Sequence, residues 1–264
     1  MTEDRQSKML LMLLAQGQMS VHDIATALDA SPATVRRDLS DLEQSGQVER
    51  LHGAARIAKG SQKELAFSAR ENTQIAAKRA IANTAAQLIQ PNEAIFLDAG
   101  TTVLQLARHI KSNPVPVQVF TNGLVIAQEL AHVPHANVTL IGGRLRSENL
   151  SMVGPAAVAM LEDLWFDRLF LGASAIDVEG HITSIEADEA ATNAKMIERS
   201  ASLVVLADST KLNRRITHRV AQLGEGDLLI SDASSTDALR SFLEAEKVSF
   251  SLAQDAQMFR SEDA

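Results

Sequence analysis

The chain has 264 residues and a formal net charge of −8, with 45% hydrophobic residues and no cysteine. That apolar content supports a packed core and excludes wholesale disorder, and the length suits one large domain or two smaller ones. The missing thiols exclude a disulfide framework, cysteine-ligated zinc and thiol catalysis, and fit a reducing cytoplasm. No stretch reads as a signal peptide, and none approaches the roughly 18 apolar residues of a membrane span.

Residues 1–58 read as a small helical head. Met9, Leu10, Met12, Leu13 and Leu14 recur at helical spacing over 5–15, and Gly17 ends that helix. Ser20 has the chemistry of an N-cap, with Asp23 three residues on, and Val21, Ile24, Ala25 and Leu28 mark one face of a short second helix. Asp29-Ala30 makes a turn. Ser31-Pro32 then opens a third helix with a capping serine and a proline whose missing N–H costs nothing there, and Val35, Leu39 and Leu42 form its buried stripe before Ser45-Gly46.

A tight turn between the second and third helices makes a helix-turn-helix, whose later helix enters the major groove of DNA N-terminus first. Ala33, Thr34, Arg36 and Arg37 lie in its first two turns, off the apolar stripe. Arginine can donate bidentately to guanine or clamp a phosphate, and Thr34 can bond a phosphate or touch a thymine methyl. Residues 47–56 read as a β-wing turning at Gly53, with Arg50, His52 and Arg56 facing the DNA backbone. Composition argues the other way. The head carries six cationic residues against eight acidic ones, so DNA binding requires the positive charge to be gathered on one face.

Residues 59–75 are polar and weakly patterned, as in a linker, and 254–264 read as a disordered tail. An alanine-rich helix over 74–89 opens a second domain, 76–253. Apolar strands follow at 94–97, 117–120, 138–141, 168–171, 203–207, 227–230 and, weakly, 248–252, with helices at 102–110, 124–130, 156–161, 188–199 and 236–246. Continuous apolar strands alternating with amphipathic helices imply an α/β domain with a mostly parallel sheet covered on both faces.

Polar, glycine-rich segments end these strands: Asp98-Ala99-Gly100-Thr101-Thr102, Thr121-Asn122, Gly142-Gly143, Gly172, and Asp208-Ser209-Thr210-Lys211. Open α/β sheets bind ligands beyond the carboxyl ends of their strands. Gly100, Thr101 and Thr102 opening a helix offer amides and hydroxyls to a phosphate. No Walker lysine and no GxGxxG is present, so neither a nucleotide loop nor a dinucleotide cofactor is indicated. Lys211 could pair a phosphate or salt-bridge Asp208. Glu186 and Lys195 could contact a sugar or its phosphate, or simply lie on a solvated face, and Arg144 and Arg146 read as exposed. The histidines show no metal-ligand spacing, and His109, His132, His135 and His218 read as surface or turn residues.

Ser31-Pro32-Ala33-Thr34-Val35-Arg36-Arg37-Asp38-Leu39, then Leu42-Glu43 and Arg50-Leu51-His52-Gly53, closely resemble the N-terminal signature of the DeoR family of bacterial regulators. One departure is visible: Ala54 stands where that family usually has a second glycine. The segments 98–102, 121–122, 142–143, 154–155, 166–172 and 208–211, with Phe67 and Arg70 upstream, match that family's elements in order. The resemblance spans about 5–235. It implies a winged head and a C-terminal sensor akin to sugar-phosphate isomerases and CoA transferases, with a phosphorylated sugar as effector and no cofactor. It also implies a repressor of carbohydrate uptake or catabolism. A homo-oligomer would set two heads on paired half-sites. The rival expectation is an isomerase with a DNA-binding head, for which Asp98, Glu186, Asp208 and Lys211 would supply acid–base groups.

Overall fold

The computed structural model describes residues 2–58, 67, 69–233 and 236–253. Most of the segment expected as a linker over 59–75 lies outside these residues at 59–66 and 68, and the tail expected over 254–264 lies wholly outside them. The chain divides into two compact units, Met1–Ile75 with Ser147–Asn149, and Ala76–Arg146 with Leu150–Ala264.

In the first unit, helix α1 (Thr2–Gln16) is followed by strand β1 (Gln18–Ser20), helix α2 (Val21–Ala27) and helix α3 (Pro32–Gln44). Strands β2 (Val48–Leu51) and β3 (Ala54–Ile57) form the wing, and β3 lies between β1 and β2 in a small antiparallel sheet. Strand β1 was not foreseen. Its three residues pair with 54–56 and make the wing three-stranded. Met9, Leu13, Ile24, Val35 and Leu39 are fully buried in the core of this unit, and Leu42, Val48 and Ile57 join them. These apolar positions of α1, α2 and α3 come from helical spacing, so the head's core follows directly from the sequence pattern.

The helix ends are closed by backbone geometry. Ser20 accepts from Asp23 N at 3.0 Å, and Ser31 accepts from Thr34 N at 3.1 Å. After α2, Asp29 takes φ +49 while Ala30 N donates to Ala25 O and Asp29 N to Thr26 O. After α3, Gly46 takes φ +73 while Gln47 N donates to Leu42 O and Gly46 N to Glu43 O. Both are Schellman closures, which satisfy carbonyls that a helix end would otherwise leave open. In the wing turn Gly53 alone needs positive φ, at +73, and Ala54 is already a strand residue paired with Leu51 and Ser20. The alanine at the family's second glycine position is therefore accommodated without strain.

Ala69, within the segment expected as linker, is 1% exposed and belongs to this same core. Arg70 Nη2 donates to the carbonyl of Glu148, also in the first unit.

The second unit opens with a helix at Ile75–Ala86, whose Ala80, Ile81, Ala82 and Ala85 are buried, with Ile75 and Ile89 only half-buried. Seven strands then form one sheet in the order β15-β14-β12-β9-β4-β5-β6, every neighbouring pair parallel. They are β4 (Ala94–Leu97), β5 (Val117–Thr121), β6 (Ala136–Leu140), β9 (Arg168–Gly172), β12 (Leu203–Leu206), β14 (Leu228–Ser231) and β15 (Ser249–Leu252). Helices at Thr101–Ser112, Leu124–Leu130, Pro155–Glu162, Ala187–Glu198 and Asp237–Ala245 fall between them. Strands β4 and β9 are buried almost throughout, as a doubly covered parallel sheet demands. Phe96, Phe166 and Phe170 are among the largest fully buried side chains, and Phe96 meets Phe166 edge-on with centroids 5.0 Å apart.

Two additions escaped the alternating pattern because their strands are too short to show a period. One is a hairpin of β7 (Arg144–Arg146) and β8 (Ser151–Val153). The other is an antiparallel sheet of β10 (Ala175–Ile176), β11 (His181–Ser184) and β13 (His218–Gln222). At its turn, Gly180 has φ +70, and a Cβ added there would stand 2.1 Å from the Phe242 ring. His109 is half-buried rather than at the surface, with Nδ1 2.9 Å from Asn83 Oδ1, and burial lowers its pKa. Among the described residues no helix is long and apolar enough to cross a membrane.

Gly180→Ala combines left-handed strain with a clash against an aromatic ring that helps cover the core. It should cost about 1–3 kcal/mol in urea unfolding of this unit, and a cost under a few tenths would contradict that packing.

Candidate functional site

Helix α3 presents Arg36 and Arg37 to solvent, while Val35, Asp38 and Leu39 turn inward. Among the described residues neither arginine has an ion-pair partner. Asp38, part of the same signature, is 2% exposed and takes a two-pronged bond from Arg5, at 2.6 Å to Nε and 3.1 Å to Nη2. The pair ties α1 to α3 and removes an acid that would otherwise sit beside the two free arginines. This is how a head of net negative composition can keep a positive face. Thr34 is occupied as well: its Oγ1 lies 2.8 Å from Ser31 Oγ, within the helix cap. Ala33 is exposed in the first turn.

The wing residues divide. His52 and Arg50 are exposed, and Arg50 approaches Glu43 only at 3.9 Å. Arg56 is paired across the strands with Glu49, its register partner, at 2.8 Å from Nε and 2.6 Å from Nη2. Arg56 is therefore partly neutralised, while Arg36, Arg37 and Arg50 keep most of their charge.

In the second unit the chain runs outward from β4 through β5 to β6 on one side, and from β9 through β12 to β14 and β15 on the other. The reversal of strand order lies between β4 and β9, and a crevice at that point is where an open α/β sheet binds its ligand. Asp98 ends β4 in this crevice. Its Oδ2 accepts from Gly100 N at 3.2 Å and from Gly172 N, at the end of β9, at 3.1 Å. Gly100 and Gly172 face each other so closely that a Cβ on either would stand 3.3 Å from the other's Cα. Two glycines are required at that approach.

Asp98 thus already holds the amide of Gly100, which had been counted toward the ligand's phosphate. What stays available at this helix start is the first turn of Thr101–Ser112 and the half-buried Thr101 side chain, with Thr102 behind it at 7% exposure. Burial, with the Glu189 carboxylate adding to it, pushes the Asp98 carboxyl up to about 7 against amide bonds from Gly172, Ala99 and Gly100.

Thr121 and Asn122 brace the crevice from below. Thr121 Oγ1 donates to Leu97 O at 2.6 Å and accepts from Gly123 N at 3.0 Å, while Asn122 Oδ1 accepts from Ala99 N at 3.1 Å. Both are buried, and these bonds lock the ends of β4 and β5 together. Gly142 and Gly143 are exposed after β6, the latter held within 3.0 Å of Val153 O and Ala157 Cβ positions that a side chain would need.

Asp208 caps the turn Ser209–Lys211, accepting from Thr210 N at 3.1 Å and from the Thr210 hydroxyl. It does not salt-bridge Lys211, which is half-buried and has no ion-pair partner among the described residues. Lys195 turns to Glu198, 2.8 Å away, near the far end of its helix, so the structure does not bring it to Glu186.

Arg146 corrects an expectation. It is 5% exposed, not solvated, and pairs with Glu186 and with Glu189, the latter at 2.7 Å. Glu189 also takes the Ser184 hydroxyl. Arg144 does remain exposed, paired with Asp188 at 2.6 Å and Glu186 at 3.4 Å. Glu189, Ser184 and Arg146 were missed because nothing in the linear spacing links residue 146 to 184–189; only the β7–β8 hairpin does.

One cluster was also unforeseen. Asp177, Glu179 and His181 bring three potential ligand atoms within 4.8 Å of one another. Arg215 reaches both carboxylates, at 2.5 and 2.8 Å, and supplies the positive charge there.

A family model described as a DeoR-like helix-turn-helix domain matches residues 5–61, and one described as a DeoR C terminal sensor domain matches 73–233. A putative aga operon transcriptional repressor of Escherichia coli O157:H7 is 33% identical over 245 residues, covering 90% of this chain and 91% of that one. The HTH-type transcriptional regulator GlpR of Haloferax volcanii is 38% identical over 215 residues, covering 81% and 84%. The HTH-type transcriptional repressor CsqR of Escherichia coli K12 is 32% identical over 251 residues, covering 95% of each. Among solved structures, ribose 5 phosphate isomerase A from Neisseria gonorrhoeae covers 56% of this chain and 55% of its own at 15% identity, with a TM-score of 0.36. A Pyrococcus horikoshii translation initiation factor eIF-2B covers 82% and 74% at 18% identity, with a TM-score of 0.43. Likenesses this loose carry no argument about activity.

The raised Asp98 pKa has a signed consequence. An acid that keeps its proton to about 7 when folded but titrates near 3.8 when unfolded leaves the folded state holding the extra proton between those values. Stability then falls as pH rises through that window. Asp98→Asn, which preserves the acceptor for Gly100 and Gly172, should flatten the decline in melting temperature between pH 4.5 and 8, as read by calorimetry at matched ionic strength. Parallel wild-type and variant profiles would exclude a titrating Asp98.

Proposed function

Because the chain belongs to the DeoR family of transcriptional regulators, we propose that it represses genes for carbohydrate uptake or breakdown and that a phosphorylated sugar releases it from its operator. The reading places it in the cytoplasm as a homo-oligomer, with paired heads on paired half-sites. Named relatives include a putative aga operon repressor and a lactose phosphotransferase system repressor, which supports carbohydrate control here.

The observation that carries the effector reading is the crevice between β4 and β9. There the first turn of the Thr101–Ser112 helix and Thr101 stand near the strand-order reversal, and Lys211 follows β12, the next strand along. A phosphate would bind at the helix start, where peptide dipoles and free amides favour an anion. Asp98 would hold the loop in shape rather than grip the ligand, since both its bonds to Gly100 and Gly172 are internal. Gly142, Gly143, Glu186 and Asp208 would border the ligand, and Arg146 with Glu189 would shape the side nearest the hairpin. Lys195, turned to Glu198, contributes least.

On the DNA side, Arg36 and Arg37 would read base edges, with Ser31, Ala33 and Thr34 at the helix start and Arg50, His52 and Arg56 along the backbone. Effector and operator then oppose each other by linkage: a ligand that weakens DNA binding is itself held less tightly on DNA.

The test is release of a bound operator duplex, followed by fluorescence anisotropy, across a panel of sugar phosphates and their unphosphorylated sugars. Release by a phosphorylated member alone is expected; release by none would sink the effector reading. Replacing both Arg36 and Arg37 with alanine should lower operator affinity by a hundredfold or more, taking about 1–3 kcal/mol per base-reading arginine, while thermal stabilisation by the active sugar phosphate stays intact. Thr101→Val should do the reverse, raising the effector concentration for half-release about tenfold through one lost hydrogen bond with operator affinity unchanged.

A further inference from the structure

Beside the recognition helix lies a cleft of about 450 Å³ that none of the foregoing assignments covers. Three elements send basic side chains to its walls: His22 from the start of α2, Arg36 from α3 and Arg50 from β2. Ser20, Gly53 and Ala54 complete the polar and backbone lining, with Val21, Pro32 and Leu51 as apolar floor. No carboxylate lines it. The nearest acid in sequence, Asp23, is drawn into the α2 cap by the Ser20 hydroxyl at 2.7 Å. Arg36 has no ion-pair partner among the described residues, and Glu43 stands off from Arg50 at 3.9 Å with both side chains in solvent.

Convergence of like-charged groups around a concave surface, with local acids held elsewhere, is unfavourable in the isolated protein and favourable once an anion enters. The anion's identity follows from position. The cleft is bounded on one side by the first two turns of the helix that would enter the major groove, and on the other by the wing. A DNA strand leaving the groove toward the wing must pass over it.

We propose that this cleft seats the sugar–phosphate backbone of the bound DNA, and that His22 is a phosphate contact. The proposal rests on the reading of this head as a DNA binder and extends it from base recognition to the seat that sets the helix's depth and register. Backbone contacts position a protein without reading sequence. Substitutions at His22 should therefore change affinity for all duplexes alike, whereas loss of Arg36 or Arg37 should also relax sequence preference. His22 is exposed and makes none of the core contacts, so its replacement leaves the head folded.

The test uses the full chain, a duplex it selects from a random pool, and a scrambled duplex of the same composition, with affinity measured across salt concentrations. His22→Glu should weaken both duplexes about tenfold. His22→Lys should tighten both and steepen the log affinity against log salt slope by about one unit. The gain from lysine cannot come from misfolding. Affinities within twofold of wild type for both variants on both duplexes would overturn the seat. So would an effect confined to the selected duplex, which would make His22 a base reader. A wild-type chain that binds neither duplex would instead refute the DNA-binding reading beneath it.

Discussion

One carboxylate at the reversal point of the sheet organises the second unit. Asp98 bonds the amide of Gly100 on its own loop and the amide of Gly172 on the neighbouring strand, so it joins β4 to β9 where chain direction along the sheet changes. The two halves of the sheet are built outward from that join. Thr121 and Asn122 extend the lock to β5, and the glycine pair lets the two loops close over it without a Cβ between them. A buried carboxylate is costly unless it is hydrogen-bonded or protonated, and here it is both bonded and pushed toward neutrality by its surroundings. The ligand crevice is thus a rigid feature inherited from the fold, with its chemistry added by residues around it.

The first unit solves a different electrostatic problem. Its acidic residues outnumber its basic ones, yet its exposed recognition surface is basic. The bond from Arg5 to the buried Asp38, the Glu49–Arg56 pair and the capped Asp23 each withdraw a carboxylate from that surface. Counting charges along the chain could not reveal this, because Arg5 and Asp38 stand 33 residues apart. The same pair explains why an aspartate follows the two arginines: it braces α3 from behind.

What was legible in the amino-acid pattern was whatever has a local physical cause. Ser31-Pro32 announced α3 because a capping hydroxyl and a first-turn proline each satisfy a helix start. The seven strands stood out as apolar runs because both sheet faces are covered. Asp98, Gly100, Thr121 and Asn122 were found because polar residues at strand ends have few reasons to recur. What was hidden depends on contacts distant in sequence. Arg146 looked like a surface residue, and only the β7–β8 hairpin carries it to Glu189. The role assigned to Gly100 also shifted for such a reason: its amide serves Asp98, and the matching donor, Gly172, lies on another strand.

The caps of α3 carry a kinetic implication. Ser31 and Thr34 close its first turn and Gly46 its last, so the helix is complete before any DNA arrives. A binding surface that is already ordered gives up little conformational freedom on association. Encounters with DNA can therefore be brief and numerous, with few wasted on waiting for the helix to form. A regulator that must search a long polymer for a short site gains from that readiness in speed, a property distinct from how tightly it finally holds.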